Sequence, residues 1–216
     1  ITLDKLHVYS NLASNDGGGL YVSSANTGDV TLSNSKVYQN ECVNKGGAVN
    51  IQDDYTLIEG TLIYLNSSQG DGGGIYTSGK LKLVNCTLGS NTVPSGRNGA
   101  GIMVERGLDS SLLVNNIFYN TGDGVYKTNG KLVAYNNYFC EADADLDIIR
   151  GSGNSFSDVD PFVDGDNFNY VLENTSDLIG SGIASTVFYG KTFNVPALDV
   201  YGTIRPSPAG SSPDLG

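Results

Sequence analysis

A glycine-rich motif recurs along this chain, and it constrains the fold more than any other feature of the sequence. The two clearest copies are Asp-Gly-Gly-Gly-Leu-Tyr at 16–21 and Asp-Gly-Gly-Gly-Ile-Tyr at 71–76. Weaker copies occupy 45–50, 98–103 and 122–126. The apolar anchors of the copies are spaced by 29, 26, 27 and 23 residues, and they are Leu20, Val49, Ile75, Ile102 and Val125. A period in this range is typical of a solenoid.

Two further markers accompany the glycine motif. One is an apolar residue followed three positions later by asparagine, and its copies end at Asn11, Asn40, Asn66, Asn91 and Asn120. A sixth, degenerate copy lies at 138–140. The other marker is an apolar stripe five residues before the first residue of each copy, formed by Leu3, Leu32, Ile58, Leu83, Leu112 and Val133. Each repeat therefore holds three short strands, rich in Val, Leu, Ile, Thr and Tyr, separated by turns. Such a repeat matches one coil of a parallel β-helix, in which strands of successive coils stack about 4.8 Å apart.

We therefore predict an all-β, single-stranded parallel β-helix of about six coils over residues 1–140. Chain chirality favours a right-handed path. Glycine suits the corners where backbones pass closely, and asparagine suits other corners because it tolerates the left-handed conformation and bonds its own backbone. The repeat stops near residue 140. Residues 141–216 are predicted to form a last partial coil and a C-terminal cap, with 148–149, Phe162 and 171–172 across the open end.

Composition excludes several classes of function. The net charge of −11 and the pI of about 4.3 argue against nucleic acid and anionic membranes as partners. They suit bound cations or a saline habitat, but the aspartates are scattered, which favours a solvated acidic surface. The three cysteines, Cys42, Cys86 and Cys140, form no Cys-x-x-Cys pair, and with a single histidine they exclude a zinc site. Their odd number forbids full disulfide pairing, and Cys86 is expected to be a small buried hydrophobe. No apolar run reaches the roughly 18 residues of a membrane helix, so no direct membrane insertion is expected.

The repeats resemble those of secreted bacterial right-handed parallel β-helix proteins, including polymorphic outer-membrane-protein-like adhesins. Gly-Gly-Ala-Val at 46–49 and Val-Tyr-Gln-Asn at 37–40 are similar to the two repeat motifs of that group. The segments 160–172 and 199–216 resemble its closing segment, Asp-Pro-x-Phe-Val-Asp followed by Tyr-x-Leu and then Arg-Pro and Asp-Ile-Gly. The Ser-Pro-Ala-Ile-Asp motif of the group is reduced here to Ser-Asp-Leu-Ile-Gly at 176–180.

The resemblance implies an exported protein, extracellular or at the surface of a Gram-negative bacterium. It implies further domains of the same precursor on both sides of this chain, since the closing segment often precedes an anchoring or sorting domain and the chain opens inside a repeat. It implies no activity, because β-helices host lyases, hydrolases, epimerases and adhesins alike.

Two enzymatic hypotheses depend on particular charged residues. Gln52-Asp53-Asp54 provides adjacent carboxylates of the kind used by polygalacturonase-type hydrolases, but the other motifs of that family are missing and a solvated turn is the simpler interpretation. A polysaccharide lyase needs a basic residue beside an acidic calcium cluster. The candidate bases are Arg97, Arg106, Lys127 and Arg150. No three carboxylates share an obvious coil face with any of them, so surface roles are favoured.

A calcium site is possible where aspartates crowd one loop. Asp158, Asp160, Asp164 and Asp166 place oxygen ligands at alternating positions, and Asp143, Asp145 and Asp147 form a similar string. Such calcium would be structural, and no cofactor is otherwise required. Turn chemistry is the alternative interpretation.

An outward-facing tyrosine row is the candidate glycan-binding site. If the anchors point inward, the next residues point outward from one sheet, namely Tyr21, Asn50, Tyr76, Met103 and Tyr126. Exposed tyrosines with neighbouring polar groups can stack on sugar rings. The alternative is stabilisation of the sheet, which a second aromatic stripe at Tyr9, Tyr38, Tyr64, Phe118 and Phe139 favours.

The sequence therefore favours a non-catalytic exported surface module, adhesin-like or stalk-like, that presents one face to a glycan or protein partner. One alternative is a carbohydrate-active enzyme, most plausibly a lyase on acidic glycans. Another is a structural component of a surface filament or layer. The first two hypotheses are distinguished by whether carboxylates and a cation converge in one groove.

Overall fold

The structure is a computed structural model. It describes residues 1–23, 29–52, 55–105, 111–129, 132–144, 149–188, 190–205 and 210–216, with the backbone alone at 149 and 150. The strands in chain order are β1 (Thr2–Asp4), β2 (His7–Tyr9), β3 (Leu12–Ala13), β4 (Leu20–Ser23), β5 (Val30–Ser33), β6 (Lys36–Tyr38), β7 (Glu41–Cys42), β8 (Val49–Gln52), β9 (Tyr55–Glu59), β10 (Leu62–Tyr64), β11 (Ser67–Ser68), β12 (Ile75–Thr77), β13 (Lys80–Val84), β14 (Thr87–Gly89), β15 (Ile102–Val104), β16 (Ser111–Val114), β17 (Ile117–Lys127), β18 (Leu132–Tyr135), β19 (Tyr138–Ala144), β20 (Ile149–Arg150), β21 (Ser155–Ser157), β22 (Phe162–Asp164), β23 (Asn169–Leu172), β24 (Ser185–Phe188) and β25 (Lys191–Asn194). A single 3-10 turn, Gly165–Asn167, separates β22 from β23.

The strands stack as a parallel β-solenoid, which confirms the predicted fold class. The first sheet follows the order β1-β5-β9-β13-β16-β18-β20, so that one strand per coil is added along its axis. The next strands of each coil form a second sheet that starts β2-β6-β10-β14, and the strands after the glycine motif run β4-β8-β12-β15. Short strands β3, β7 and β11 form a third side.

The number of coils differs slightly from the predicted six. In the first four coils, the strands on different sides of the solenoid are separate strands. In the two coils that follow, the long strands β17 and β19 each span two sides of the solenoid without an intervening turn. A last partial turn is formed by β20 and β21. The corner is lost in these coils because the glycine motif shortens to 122–126 and the repeat shortens with it.

The core is a set of inward rows that run along the axis. The five glycine-motif anchors pair in register from Leu20 to Val125, as the spacing predicted. A second inward row runs through Val37, Ile63 and Leu88 to Phe118 and Phe139. Burying these apolar rows is the main source of stability, at roughly 25 cal/mol per Å² of apolar surface.

The predicted register was wrong by one residue at the fifth and sixth coils. Leu88 pairs with Phe118 rather than Ile117, and Leu83 pairs with Leu113 rather than Leu112. Spacing alone could not resolve this, because these stretches carry consecutive apolar residues and either frame keeps one of them inside. Phe118 is fully buried in the core, where its ring stacks on Phe139 at 4.8 Å between ring centroids.

The glycine motif forms a turn that only glycine fits. Gly72 has a φ of 73°, which side chains disfavour. At the next position, a Cβ on Gly73 would collide with the backbone oxygens of Thr92 and Ala100 in the next coil. The turns of successive coils are therefore packed backbone against backbone, as their glycines predicted.

Buried asparagines form ladders at two corners. The side-chain oxygen of Asn66 accepts from the backbone and side-chain nitrogens of Asn40, both at 3.0 Å, and Asn66 donates in the same way to Asn91. Asn116, Asn137 and Asn154 repeat this pattern at another corner. The prediction that these asparagines adopt the left-handed conformation was wrong for Asn40 and Asn66. That backbone conformation lies one residue earlier, at Gln39 and Leu65, and the amides bond the neighbouring coil.

The C-terminal extension runs along the flank of the solenoid, not across its end as predicted. Phe162 and Tyr170 pack on Leu62 and Ile117, which point outward from the second sheet. The hairpin β24–β25 packs on Leu112 and other outward residues of the first sheet. This route buries apolar side chains that would otherwise lie exposed on the sheet faces. Residue 148 and the Ile149 side chain, which were expected to close the end, lie outside the described residues.

All three cysteines are buried and free, which agrees with the interpretation of Cys86 as a small hydrophobe. Within the described ranges, no helix combines the length and apolarity needed to cross a lipid bilayer.

Candidate functional site

A polar cleft of about 530 Å³ opens on the side of the solenoid formed by β4, β8, β12 and β15. One wall consists of the turns before these strands and carries Asp16, Lys45, Asp71 and Arg97. The other wall consists of the strand ends and carries Gln52, Ser78 and Glu105. Because the coils are in register, equivalent positions of successive coils lie side by side, and residues far apart in sequence converge here. Its volume is within the usual range for ligand-binding clefts.

The predicted tyrosine row lies along this side of the solenoid. Tyr21, Asn50, Tyr76, Met103 and Tyr126 pair in register, as expected from the glycine motif. The prediction that the row is exposed was wrong at its centre, where Tyr76 is only 2% exposed and Asn50 and Met103 are also buried. Long side chains of neighbouring coils cover these residues. Tyr21, at one end, is 51% exposed.

Lys45 is the side chain that covers Tyr76. Its ammonium lies 4.4 Å from the centre of the Tyr76 ring and donates a hydrogen bond of 2.9 Å to the Tyr76 hydroxyl. It also contacts both carboxylate oxygens of Glu105, at 3.1 and 3.2 Å. Lys45 and Glu105 belong to coils two apart, and their side chains bridge the intervening coil directly over Tyr76.

Two carboxylates of the cleft have a structural role. Asp16 accepts a hydrogen bond of 3.1 Å from the backbone N–H of Lys45, and Asp71 accepts one of 3.0 Å from Asn98. Each aspartate of the glycine motif thus holds the corresponding turn of the next coil. Lys45 occupies this aspartate position in its own repeat.

This substitution was the sequence signal that could have identified the cleft. The repeat at 45–50 departs from the clearest copies at several positions, with lysine where they have aspartate, alanine where they have the third glycine, and asparagine where they have tyrosine. Two of these differences affect the cleft: Lys45 lines it, and Asn50 donates to the Lys45 carbonyl oxygen at 3.1 Å. The side-chain oxygen of Asn50 is buried without a hydrogen-bond partner. Sequence reasoning treated these differences as variation in a loose repeat.

Arg97 provides a second cation at the cleft. It follows a turn in which its N–H donates to Pro94, and its side chain is exposed. Within the part of the chain that the structure describes, its guanidinium has no ion-pair partner. Gln52 and Gln69 add amide groups that can donate to and accept from a polar ligand. The cleft thus offers one free cation, one paired cation and several neutral hydrogen-bonding groups.

Carboxylates and cations therefore do converge in one groove, contrary to the expectation that no three carboxylates would share a face with a base. Asp16, Asp71 and Glu105 lie beside Lys45 and Arg97. Nevertheless, no group of three or more His, Cys, Asp or Glu side chains in the described ranges is arranged to hold a metal ion. Of the other enzymatic candidates, Asp53, Asp54, Arg106 and the Arg150 side chain lie outside the described residues. Lys127 ends β17, outside the group that lines the cleft.

Three of the four aspartates proposed for calcium accept hydrogen bonds from other side chains. Asp160 and Asp166 both accept from the Tyr119 hydroxyl, at 3.1 and 3.0 Å, and Asp164 accepts from Asn167. Burial, together with these two carboxylates, raises the pKa of Tyr119 far above its ordinary value. Asp158 is exposed. The loop is thus organised by hydrogen bonds from a phenol to carboxylates, which agrees with the alternative interpretation of these aspartates as turn residues. Calcium binding there stays a prediction. Of the second string, Asp145 and Asp147 lie outside the described residues.

The second aromatic stripe of the sequence divides into two rows. Tyr9, Tyr38 and Tyr64 point outward and stack face to face at 5.0 Å between ring centroids. Phe118 and Phe139 belong to the inward row instead, because of the register shift described above. The stacking stabilises the sheet, and both faces of Tyr38 are closed to a sugar ring because they contact Tyr9 and Tyr64.

A smaller cavity of about 200 Å³ lies between the extension and the solenoid. Its walls include Leu62, Ile117 and Leu215, which belong to the packed seam described above. It is a packing gap rather than an open cleft, so the Lys45 cleft is the candidate functional site.

Comparisons with known proteins agree with this architecture. A family model described as a right-handed β-helix region matches residues 2–160, nearly three quarters of the chain. No curated protein and no solved structure matches the chain. The matched region contains the stacked strands from β1 to β21 and the whole cleft. The chain therefore belongs to the right-handed β-helix family.

Proposed function

We propose that this protein is a non-catalytic, exported surface module that binds an acidic glycan in the Lys45 cleft. The observation that carries the proposal is the placement of Lys45 and the unpaired Arg97 guanidinium beside the neutral hydrogen-bonding groups of one open cleft. The cleft as a whole is not positively charged, since Asp16, Asp71 and Glu105 also line it, but Asp16 and Asp71 accept hydrogen bonds from backbone N–H groups of neighbouring turns. A ligand that combines carboxylates with hydroxyl groups fits both kinds of group.

The shape of the cleft supports a chain-like ligand. The cleft is open and crosses several coils, from Asp16 in the first to Glu105 in the fourth. Successive coils lie about 4.8 Å apart, and sugars in an extended polysaccharide advance by a comparable distance. The exposed Tyr21 ring lies at one end of the tyrosine row and can stack on a sugar beyond the cleft.

A lyase acting on the same kind of glycan is the second candidate, and the contact between Lys45 and Tyr76 favours it. The Lys45 ammonium donates to the Tyr76 hydroxyl at 2.9 Å. If Lys45 first loses its proton to solvent, the amine can accept a proton and the phenol can donate one in the same site. A lyase would abstract the C5 proton of a uronate and break the C4–O bond, leaving an unsaturated sugar that absorbs ultraviolet light. This candidate stands second because no group of three carboxylates in the described residues is arranged to hold a metal ion.

The test is a glycan array that contains acidic and neutral polysaccharides, probed with the wild-type chain and with Lys45→Gln and Arg97→Gln. The proposal expects binding to acidic glycans that is weakened by each substitution, with no product detected. Arg205→Gln is unsuitable as a control because Arg205 is largely buried, whereas Lys5→Gln removes one exposed cation elsewhere. Wild-type binding that neither cleft substitution weakens would contradict the site. Growth of ultraviolet absorbance with an acidic glycan would replace the proposal by the lyase.

A further inference from the structure

We propose that the Glu105 carboxylate is an internal competitor for the ligand, and that the cleft selects glycans whose own carboxylate takes the place of Glu105 on Lys45. The inference rests on the proposed function and assigns a specificity-determining role to Glu105. It also narrows the ligand class to uronate-type sugars, in which a carboxylate is attached directly to the ring.

The geometry of the ion pair supports this role. Glu105 presents both of its oxygens to the Lys45 ammonium, at 3.1 and 3.2 Å, while the Tyr76 hydroxyl occupies a third direction at 2.9 Å. An ammonium has only three N–H donors. These contacts leave Lys45 no donor for a ligand as long as Glu105 stays in place. A ligand carboxylate therefore has to displace Glu105 before it can bind Lys45.

The exchange is easy because the pair lies at the surface. The side chains of Lys45 and Glu105 are 35% and 39% exposed, and exposed ion pairs contribute little to stability. Glu105 follows the end of β15, and its backbone N–H donates to Thr77, so its side chain can move without disturbing the sheet. Lys45 is better fixed, because its turn is held by Asp16 and by the backbone bonds of the glycine motif. Lys45 is thus held in place for a ligand, while the Glu105 carboxylate that binds it can be displaced.

Arg97 gives a ligand carboxylate an advantage over Glu105 in binding Lys45. Its guanidinium is unpaired within the described residues and lines the same cleft. A glycan with successive carboxylates can bind Arg97 first and then compete for Lys45 at a high local concentration. A neutral glycan has no group that replaces Glu105 and gains nothing from the exchange.

The experiment measures the affinity of a short oligogalacturonate, its methyl ester and a sulfated neutral oligosaccharide for wild type and Glu105→Gln. Glutamine keeps the shape of glutamate but loses the charge that binds Lys45. We expect the affinity for the oligogalacturonate to rise about fivefold, the most that an exposed ion pair accounts for, and the affinity for the methyl ester to stay unchanged. Glu173→Gln, an equal charge change at an exposed position on the extension, should not reproduce the gain. Adding Lys45→Gln to Glu105→Gln should abolish it.

The outcomes separate this inference from the proposed function. If wild type bound the oligogalacturonate and Glu105→Gln bound it no more tightly, the competitor role of Glu105 would be overturned. The proposed function would still stand. An equal gain for all three probes, or an equal gain in Glu173→Gln, would show a general charge effect and also overturn it. A larger gain for the sulfated probe would overturn the uronate selectivity. If neither protein bound any acidic glycan, the proposed function and the inference would both fall.

Discussion

At the scale of single residues, the asparagine ladder is the clearest device that holds the coils together. Asn66 is fully buried, and its amide donates to the Val37 and Tyr64 carbonyls as well as to Asn91. Its side-chain oxygen accepts two bonds from Asn40. Every polar atom of the side chain is thus used. The ladder fixes the register of one corner in the same way that the glycine turns fix another.

Asn66→Ala should therefore be strongly destabilising. The change leaves two buried N–H donors of Asn40 without their acceptor and removes one donor from the Val37 carbonyl. Each buried group left unpaired costs about 1–3 kcal/mol. We expect a loss of about 3–5 kcal/mol in the free energy of unfolding, measured by urea denaturation. Asn11→Ala is the matched control, because Asn11 makes the same ladder contact at the exposed end, and should cost about 1 kcal/mol. Equal losses for the two variants would contradict this account of the ladder.

Lys82 is a buried cation held by aromatic rings. It is 4% exposed, and its ammonium lies 3.7 Å from the centre of the Phe193 ring and 4.1 Å from that of Tyr55. Desolvation, with a smaller effect from Lys191, lowers its pKa to about 8. Because its pKa is higher in the unfolded chain, the unfolded state binds more protons between pH 8 and about 10.5. The contribution of Lys82 to stability therefore rises with pH over that window.

The free energy of unfolding of wild type should rise relative to Lys82→Met by about 1 kcal/mol between pH 7.5 and 9. The comparison with Lys82→Met is needed because the cysteines of the unfolded chain begin to lose protons at the upper end of this range. Urea denaturation at both pH values provides the measurement, and Lys5→Met, at an exposed position, serves as the control. A difference between wild type and Lys82→Met that is independent of pH would show that the buried amine does not titrate as stated.

At the scale of elements, the C-terminal extension docks on the solenoid at Gly89. This glycine ends β14 and lies in the outward tyrosine row, between Tyr64 and Tyr119. The missing side chain leaves a gap that the Tyr170 ring from β23 fills, with edge-to-face contacts to Tyr64 at 5.5 Å and to Tyr119 at 6.2 Å. A Cβ at Gly89 would overlap the Tyr170 ring. The docking of the extension thus depends on one glycine of the solenoid.

Gly89→Ala should release the hairpin β22–β23 while leaving the solenoid folded. Gly89 has no positive φ, so the cost arises from the collision and not from backbone strain. We expect faster amide hydrogen exchange over residues 162–172, with unchanged protection of the cleft strands. In a Tyr170→Ala background the added methyl group has room, so Gly89→Ala should then have little further effect. Equal effects of Gly89→Ala in both backgrounds would contradict the proposed fit.

At the scale of the whole molecule, groups that deprotonate at alkaline pH are buried along its length. Burial raises the pKa of Cys86 and of Cys140 to about 12, and it raises the pKa values of Cys42, Tyr138 and Tyr170 as well. Each of these groups keeps its proton in the folded state at a pH where the unfolded chain has lost it. The contribution of these groups to the free energy of unfolding is therefore greatest below the ordinary pKa of about 9, and it falls as the pH rises above that value.

The protein should thus lose stability steeply above pH 9, and Cys86→Ser should reduce that loss. The serine fits because Ser35 and Thr61 carry hydroxyls at the equivalent positions of earlier coils, donating to the carbonyl two residues before as the Cys86 thiol does. Between pH 8 and 10.5, we expect the free energy of unfolding of Cys86→Ser to fall by about 2 kcal/mol less than that of wild type. Urea denaturation measures both falls. Equal falls would show that the Cys86 thiol is not a source of the alkaline sensitivity.

The sequence by itself determined the solenoid, because the stacking of coils is a repeated local event. Each copy of the glycine motif specifies its own turn, and the anchor spacing specifies which residues of successive coils pair. The tyrosine row from Tyr21 to Tyr126 was predictable for this reason. The predicted register was wrong in the fifth and sixth coils, at Leu112 and Ile117 among others, where consecutive apolar residues allow two frames.

Tertiary structure alone decided the covering of Tyr76, the cleft and the path of the extension. The Lys45–Glu105 pair joins residues 60 positions apart in sequence and two coils apart in space, so no local pattern specifies it. The extension has no repeat, and its position depends on the match between Tyr170 and the gap at Gly89. Strand pairing determines the position of each residue on a solenoid face. It does not determine which residues are exposed to solvent, because long side chains from neighbouring coils can cover them.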